Sequence, residues 1–226
     1  MSGLCGLGGS FVGFGGSRGL PSVASPGGLV SQVVASVVSS GRGVAVGCAS
    51  GADAAVLSAR LALGFPAGVS CPSLAVFAVG GPSGRGFWRC SALPVVRQAA
   101  ALVGSRGHGV ASPVAVSWWA GGGPSVPLRA RLRRRSVALV QAVAASGSGA
   151  AFVAFVSGGF QASRGSWGSV RSALSLGLPV VVFPVGCRAS CFPRSFRSVG
   201  SVRWVPAAQS GVWARGFRVQ QGAAGA

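Results

Sequence analysis

The sequence contains no isoleucine, threonine, asparagine, lysine, tyrosine or glutamate. Asp53 carries the only carboxylate side chain, and the only methionine is Met1. Codons for Ile, Thr, Asn, Lys and Met begin with adenine, and codons for Tyr and Glu have adenine in second position. The simplest explanation is a coding strand depleted in adenine. The missing residues are therefore first a consequence of gene composition, and not evidence of a function.

The scarcity of catalytic side chains excludes most enzyme classes. His108 is the only histidine, so any Ser-His-Asp or Cys-His arrangement would depend on it. Among the six cysteines only Cys187 and Cys191 are close in sequence, and zinc sites usually require two well-spaced pairs. We therefore expect no catalytic residues, no metal and no cofactor, and a binding protein rather than an enzyme. The cysteines are expected to be free thiols in a reducing cytoplasm.

Positive charge dominates what remains. All 20 cationic side chains are arginine and the net charge is +19, so the chain attracts polyanions in a salt-dependent way. Loss of Glu, Asp and Lys codons while Arg codons are kept also produces an excess of positive charge, so the charge by itself does not establish a nucleic-acid function. Two uncharged runs, 61–84 and 136–163, exceed a membrane span. Turn residues interrupt both, and we expect neither a transmembrane segment nor a signal peptide.

Apolar segments of strand and helix type alternate along the chain. This alternation predicts a Rossmann-like three-layer α/β fold with a mostly parallel sheet of about six to seven strands. Residues 1–190 are expected to form one domain, and residues 191–226 a basic, aromatic extension with one strand near 202–205. The predicted strands are 10–16, 44–47, 74–79, 114–119, 151–156 and 179–183. The predicted helices are 28–39, 53–63, 92–103, 127–145 and 168–176.

Two glycine-rich turns follow the first two predicted strands. Ligands bind at the carboxyl ends of strands in open parallel sheets. Gly16, Ser17 and Arg18 offer backbone amides, a hydroxyl and a guanidinium to a phosphate. The second turn, 47–53, leads into a helix whose first amides are free to bind an anion. Asp53 is interpreted as the cap of that helix, and the alternative is that its carboxylate holds a ribose hydroxyl or a loop.

Two further elements are candidates for the same site. The turn 163–169 has small residues and hydroxyls before the predicted helix at 168. A run of arginines at 129, 131, 133, 134 and 135 opens the long helix, followed by Ser136. Arg131 and Arg135 are four residues apart and therefore share a helix face, so these two are expected to face the cleft. The predicted phosphate-binding residues are Gly16, Ser17, Arg18, Gly47, Ala49, Ser50, Gly51, Asp53, Arg131, Arg135, Ser136, Gly165, Ser166, Gly168 and Ser169.

These motifs resemble the SLOG superfamily of Rossmann-like nucleotide-binding proteins, which includes the DNA-processing protein A family, the LOG phosphoribohydrolases and YspA-like proteins. The resemblance rests on GSRGLP at 16–21, GCASGADAAV at 47–56, RLRRRS at 131–136 and GSWGS at 165–169. It implies that the loops bind nucleotide phosphates or single-stranded DNA.

The sequence also departs from the LOG pattern. The LOG motif has a catalytic glutamate after the third turn, where this chain has Ser172 and Ala173. The missing glutamate therefore favours binding of a nucleotide or single-stranded nucleic acid over hydrolysis. Hydrolysis of a nucleoside monophosphate is the alternative, and whether the chain forms a homo-oligomer stays open.

Overall fold

The computed structural model describes residues 10–20, 27–63, 72–103, 114–159 and 161–221. His108 and residues 222–226 lie outside these ranges. The strands are β1 (Phe11–Gly16), β2 (Gly43–Val46), β3 (Leu74–Phe77), β4 (Val114–Ser117), β5 (Ala151–Val156), β6 (Val180–Pro184), β7 (Ser195–Phe196), β8 (Gly200–Pro206) and β9 (Phe217–Gln221). The helices are α1 (Leu29–Ser39), α2 (Ala52–Ala62), α3 (Leu93–Ala101), α4 (Leu128–Ala144) and α5 (Arg164–Ser175).

The nine strands of the described ranges form one sheet, in the order β4-β3-β2-β1-β5-β6-β9-β8-β7. The strands from β4 to β6 in this order pair in parallel, and β9, β8 and β7 add to β6 in antiparallel fashion. Every residue of β2 and β3 is buried. Continuous apolar runs of this kind are typical of parallel strands that are covered on both faces.

Helix packing explains how a valine-rich segment becomes α1. Val30, Val33, Val34 and Val37 have no exposed surface, and their spacing places them on one helix face. Burial of that face outweighs the weak helix propensity of valine. Helices α1, α2 and α3 contribute to one hydrophobic cluster, and α4 and α5 contribute to a second.

The predicted α/β class and the mostly parallel sheet are confirmed, but the number of strands and the layering differ from the prediction. In the part of the chain that the structure describes, the sheet has nine strands rather than six to seven. Between residues 185 and 221 the only helices are two short 3₁₀ segments, Ala189–Cys191 and Val212–Arg215. Antiparallel neighbours need no crossover helix, so helices do not continue beside this end of the sheet as they do beside the parallel strands.

The predicted start of the last helix was wrong by four residues, because α5 begins at Arg164. Gly165 and Gly168 look like helix breakers in the sequence but lie inside its first two turns. In the described ranges, no helix is both long enough and apolar enough to span a membrane.

Candidate functional site

The order of the strands creates a crevice beside β1. From β1 the chain builds β2, β3 and β4 outward on one side, and then returns through α4 to place β5 on the other side. The loops that follow β1 and β5 therefore leave the sheet in opposite directions, and such a switch point is where open α/β sheets bind ligands. A cavity of about 500 Å³ lies there, which is within the size range of small-molecule sites. We call this cavity the cleft.

Serine hydroxyls join the two loops at the mouth of the cleft. Ser17 follows β1, and its Oγ lies 2.9 Å from Ser163 Oγ at the start of α5. The same Ser17 Oγ accepts a hydrogen bond from the Ser157 amide after β5, at 3.0 Å. Arg18 is exposed and lines the cleft, with its guanidinium carbon 5.9 Å from the ring centroid of Trp88. These contacts link the end of β1 to the loop after β5, and Arg18 adds an exposed cation beside them.

The first turn of α5 forms the opposite wall. Ser163 occupies the N-cap position but makes no side-chain capping bond, and Trp167 donates the first helical hydrogen bond, to Ser163 O at 3.0 Å. The amides of residues 164–166 precede that bond, so they have no acceptor within the helix. Arg164, Gly165 and Ser166 all line the cleft. A helix start of this kind attracts anions through its free amides and its dipole.

The loop after β2 is filled by the protein itself. Asp53 Oδ2 accepts hydrogen bonds from the Ala49 amide at 3.0 Å and from Arg135 Nη1 at 3.3 Å. Asp53 is 4% exposed and Arg135 is 7% exposed. A Cβ on Gly47 would overlap both the Arg135 guanidinium and the Asp53 carboxylate. Glycine at position 47 therefore makes room for an internal ion pair.

The prediction that Asp53 caps α2 was wrong. The N-cap is Gly51, which adopts a φ of 76°, and α2 begins at Ala52. A Cβ on Gly51 would overlap the backbone carbonyls of Ser17 and Arg18, so this turn packs directly against the end of β1. Asp53 lies in the first turn of the helix and bonds back to the loop.

Burial sets the electrostatics of the ion pair. Burial raises the pKa of the Asp53 carboxyl, and the Arg135 guanidinium and the Ala49 amide act in the opposite direction. Arg135 Nε has no hydrogen-bond partner among the described residues. Because Asp53 offsets one of the three guanidinium groups that line the cleft, those of Arg18, Arg135 and Arg164, the cleft keeps a positive balance.

Arg131 shares a helix face with Arg135, as predicted, but does not line the cleft. Its Nη1 donates to Val79 O and Gly86 O, each at 3.1 Å. Its guanidinium carbon lies 5.4 Å from the Trp119 ring centroid. One helical turn separates the two arginines, and that distance directs Arg131 toward the loop after β3, where it binds backbone carbonyls.

The structure brings ten of the predicted residues to the cleft and leaves five outside it. Those that line it are Gly16, Ser17, Arg18, Ala49, Asp53, Arg135, Ser136, Gly165, Ser166 and Ser169. Those absent from its lining are Gly47, Ser50, Gly51, Arg131 and Gly168. Ser50 instead donates its amide to Cys90 O at 2.9 Å, and Gly168 lies in the second turn of α5.

The sequence prediction missed two polar residues of the lining, Ser157 and Gln161. Ser163 and Arg164 also line the cleft; they belong to the candidate turn 163–169 but were not among the predicted phosphate-binding residues. An earlier start for α5 would have included both, because Ser163 is a typical N-cap residue. Within the described residues, no three His, Cys, Asp or Glu side chains come close enough to hold a metal.

Comparison of the chain with models of protein families, with curated proteins and with solved structures finds no significant match.

Proposed function

We propose that the cleft binds the phosphate group of a nucleotide, free or within a single-stranded nucleic acid. The observation that carries the proposal is that the first turn of α5 lines the same cavity as Arg18 and Arg135. Free helix amides favour an anion, and a guanidinium matches the planar geometry of phosphate oxygens. The hydroxyl of Ser166 adds a neutral donor beside them.

Apolar residues beside the anion site favour a nucleotide over inorganic phosphate. Side chains from β1, β5 and α4 complete the lining: Phe14, Phe152, Leu139 and Val140. Small-molecule sites typically combine such apolar walls with a few polar groups that fix orientation. The motifs that resemble the SLOG superfamily fall largely on the same loops, which supports both a Rossmann-like fold and this ligand class.

Binding is favoured over hydrolysis. Cleavage of an N-glycosidic bond requires a carboxylate within reach of the reacting sugar. Asp53 is the only carboxylate side chain of the protein, and its Oδ2 is already bonded to Ala49 and Arg135. We therefore expect the cleft to retain its ligand unchanged.

Calorimetric titration tests the proposal. We expect AMP, GMP, CMP or UMP to bind at least about tenfold more tightly than the matching nucleoside, because a hydrogen bond to a charged group contributes about 1.5–3 kcal/mol. Replacement Arg18→Ala should weaken monophosphate binding about tenfold for the same reason.

The control is Arg42→Ala, since Arg42 precedes β2 at the amino edge of the sheet. This variant should bind nucleoside monophosphates with the affinity of the wild type. Equal affinities for nucleotide and nucleoside, or an Arg18→Ala variant that binds monophosphates as well as the wild type, would refute the assignment.

A further inference from the structure

A second cavity lies beside the antiparallel end of the sheet, and the proposed function does not use it. Its volume is about 350 Å³. Three aromatic residues line it, Phe192, Trp204 and Phe217, together with Arg194 and Arg203. Both arginines are exposed. Aromatic rings next to free guanidinium groups are the combination that binds single-stranded nucleic acids, whose bases stack and whose phosphates pair with cations.

The aromatic residues are held in place by one another. Trp204 Nε1 donates to Pro193 O at 2.7 Å, and its ring meets that of Phe192 edge to face at 5.3 Å between centroids. Phe192 contacts Phe217 in the same way at 5.9 Å. Ligand binding would therefore cost little side-chain entropy.

The second cavity and the cleft flank the same segment of the chain. The first turn of α5 lines the cleft, and Trp167 in that turn packs against Phe192 and Trp204 at centroid distances of 5.1 Å and 5.9 Å. A Cβ placed on Gly159 would lie 2.9 Å from Cys191 O, so the loop before α5 also meets the segment that forms the cavity. A ligand that extends from the cleft across the start of α5 would reach this cavity.

The charge near this cavity is of one sign. Residues 185–221 carry six arginines, all exposed, and no acidic residue: Arg188, Arg194, Arg197, Arg203, Arg215 and Arg218. Two of these six arginines, Arg194 and Arg203, line the aromatic cavity itself.

We propose that the second cavity receives an unstacked base of a single-stranded nucleic acid, while Arg194 and Arg203 contact phosphates of that strand. This inference rests on the proposed function, since the cleft would hold the phosphate of a nearby nucleotide in the same strand. A single strand could occupy both the cleft and the second cavity, whereas a free mononucleotide would occupy only one of them.

Fluorescence anisotropy with labelled dT12 over a salt series provides the first test. The double variant Arg194→Ala/Arg203→Ala should bind dT12 about tenfold more weakly at moderate salt. The slope of log affinity against log salt should become shallower by about 1.4, at about 0.7 for each phosphate contact with a single strand.

The matched control is Arg42→Ala/Arg97→Ala, which removes the same charge at the amino edge of the sheet and on the outer face of α3. It should leave the slope unchanged. If the two double variants reduce affinity and slope equally, dT12 responds only to total charge, and the second cavity is not its site.

An abasic oligomer tests base stacking without changing the protein. An abasic 12-mer keeps all the phosphates of dT12 and should bind wild type about tenfold more weakly, since stacking on an aromatic side chain contributes about 1–3 kcal/mol per base. Equal affinity for the two oligomers would overturn the base-binding role.

Mononucleotide titration separates the two proposals. If UMP or AMP binds in an Arg18-dependent way while the Arg194→Ala/Arg203→Ala variant behaves like its control with dT12, only the second cavity fails. If no mononucleotide binds more tightly than its nucleoside, the assignment of the cleft fails.

Discussion

The loop after β2 resembles the loops after β1 and β5 in sequence, but it encloses protein side chains, whereas the other two border an open cavity. All three combine glycine with small or hydroxyl-bearing residues at the carboxyl edge of the sheet. In 47–53 the space beside the backbone holds the Arg135–Asp53 ion pair, whereas Ser17 and residues 163–166 face an open cavity. A glycine-rich turn thus makes room, and the side chains from elsewhere in the fold decide whether the protein or a ligand occupies it.

Removal of the internal carboxylate should have the largest effect. Asp53→Ala leaves the Arg135 guanidinium buried without its counter-charge, so we expect a loss of about 3–5 kcal/mol in the free energy of unfolding, measured by chemical denaturation. Asp53→Asn keeps an oxygen that can accept from the Ala49 amide and should cost less. A loss below about 1 kcal/mol for Asp53→Ala, the range of exposed ion pairs, would contradict the structural role of the pair.

Gly47→Ala should have the next largest effect. The added methyl group overlaps the ion pair, and overpacking of this kind typically costs about 1–3 kcal/mol. The measurement is again the free energy of unfolding, compared with Gly165→Ala at the open loop. Equal stability of the two variants would mean that the loop after β2 is not filled as described.

Gly165→Asp should weaken ligand binding without lowering stability, in contrast to the two variants above. A Cβ at Gly165 meets nothing within 4 Å, and an acidic residue in the first turn of a helix stabilises it by about 0.3–1 kcal/mol. The same carboxylate would repel a phosphate in the cleft, so affinity for nucleoside monophosphates should fall at least about tenfold. Unchanged nucleotide affinity would place the phosphate elsewhere.

Gly165→Ala should give the smallest effect. Within a helix, alanine is more stable than glycine by up to about 1 kcal/mol, and space is available at this position. We expect a slight increase in the midpoint of thermal unfolding. A large drop in stability would show that the start of α5 is tightly packed instead of open.

Local patterns in the sequence predict much of the fold but only part of the site. The spacing of the valines in α1 and the continuous apolar runs of β2 and β3 each identify an element without tertiary information. Strand β7 was missed because it has only two residues, and β9 because polar residues interrupt its apolar ones. Both are antiparallel and depend on pairing with neighbouring strands. The start of α5 was missed because burial of Trp167 offsets the cost of glycine in a helix.

Two features of the site depend on tertiary distance and could not be derived from the chain alone. Helical spacing places Arg131 and Arg135 on one face, but the position of α4 against the sheet decides that only Arg135 meets the cleft. The second cavity combines Phe192, Trp204 and Phe217 from three separate segments. Sequence patterns report the geometry of neighbouring residues in the chain, whereas both features bring together residues that are distant in sequence.

Amide chemical-shift mapping during titration with a nucleoside monophosphate tests the central contrast most directly. We expect the largest shifts at residues 16–18 and 164–166. Shifts at 47–53 should be smaller, because only Ala49 and Asp53 of that loop line the cleft and the Arg135–Asp53 ion pair fills the space beside its backbone. Largest shifts at 47–53, or shifts spread evenly over exposed arginines, would contradict this expectation.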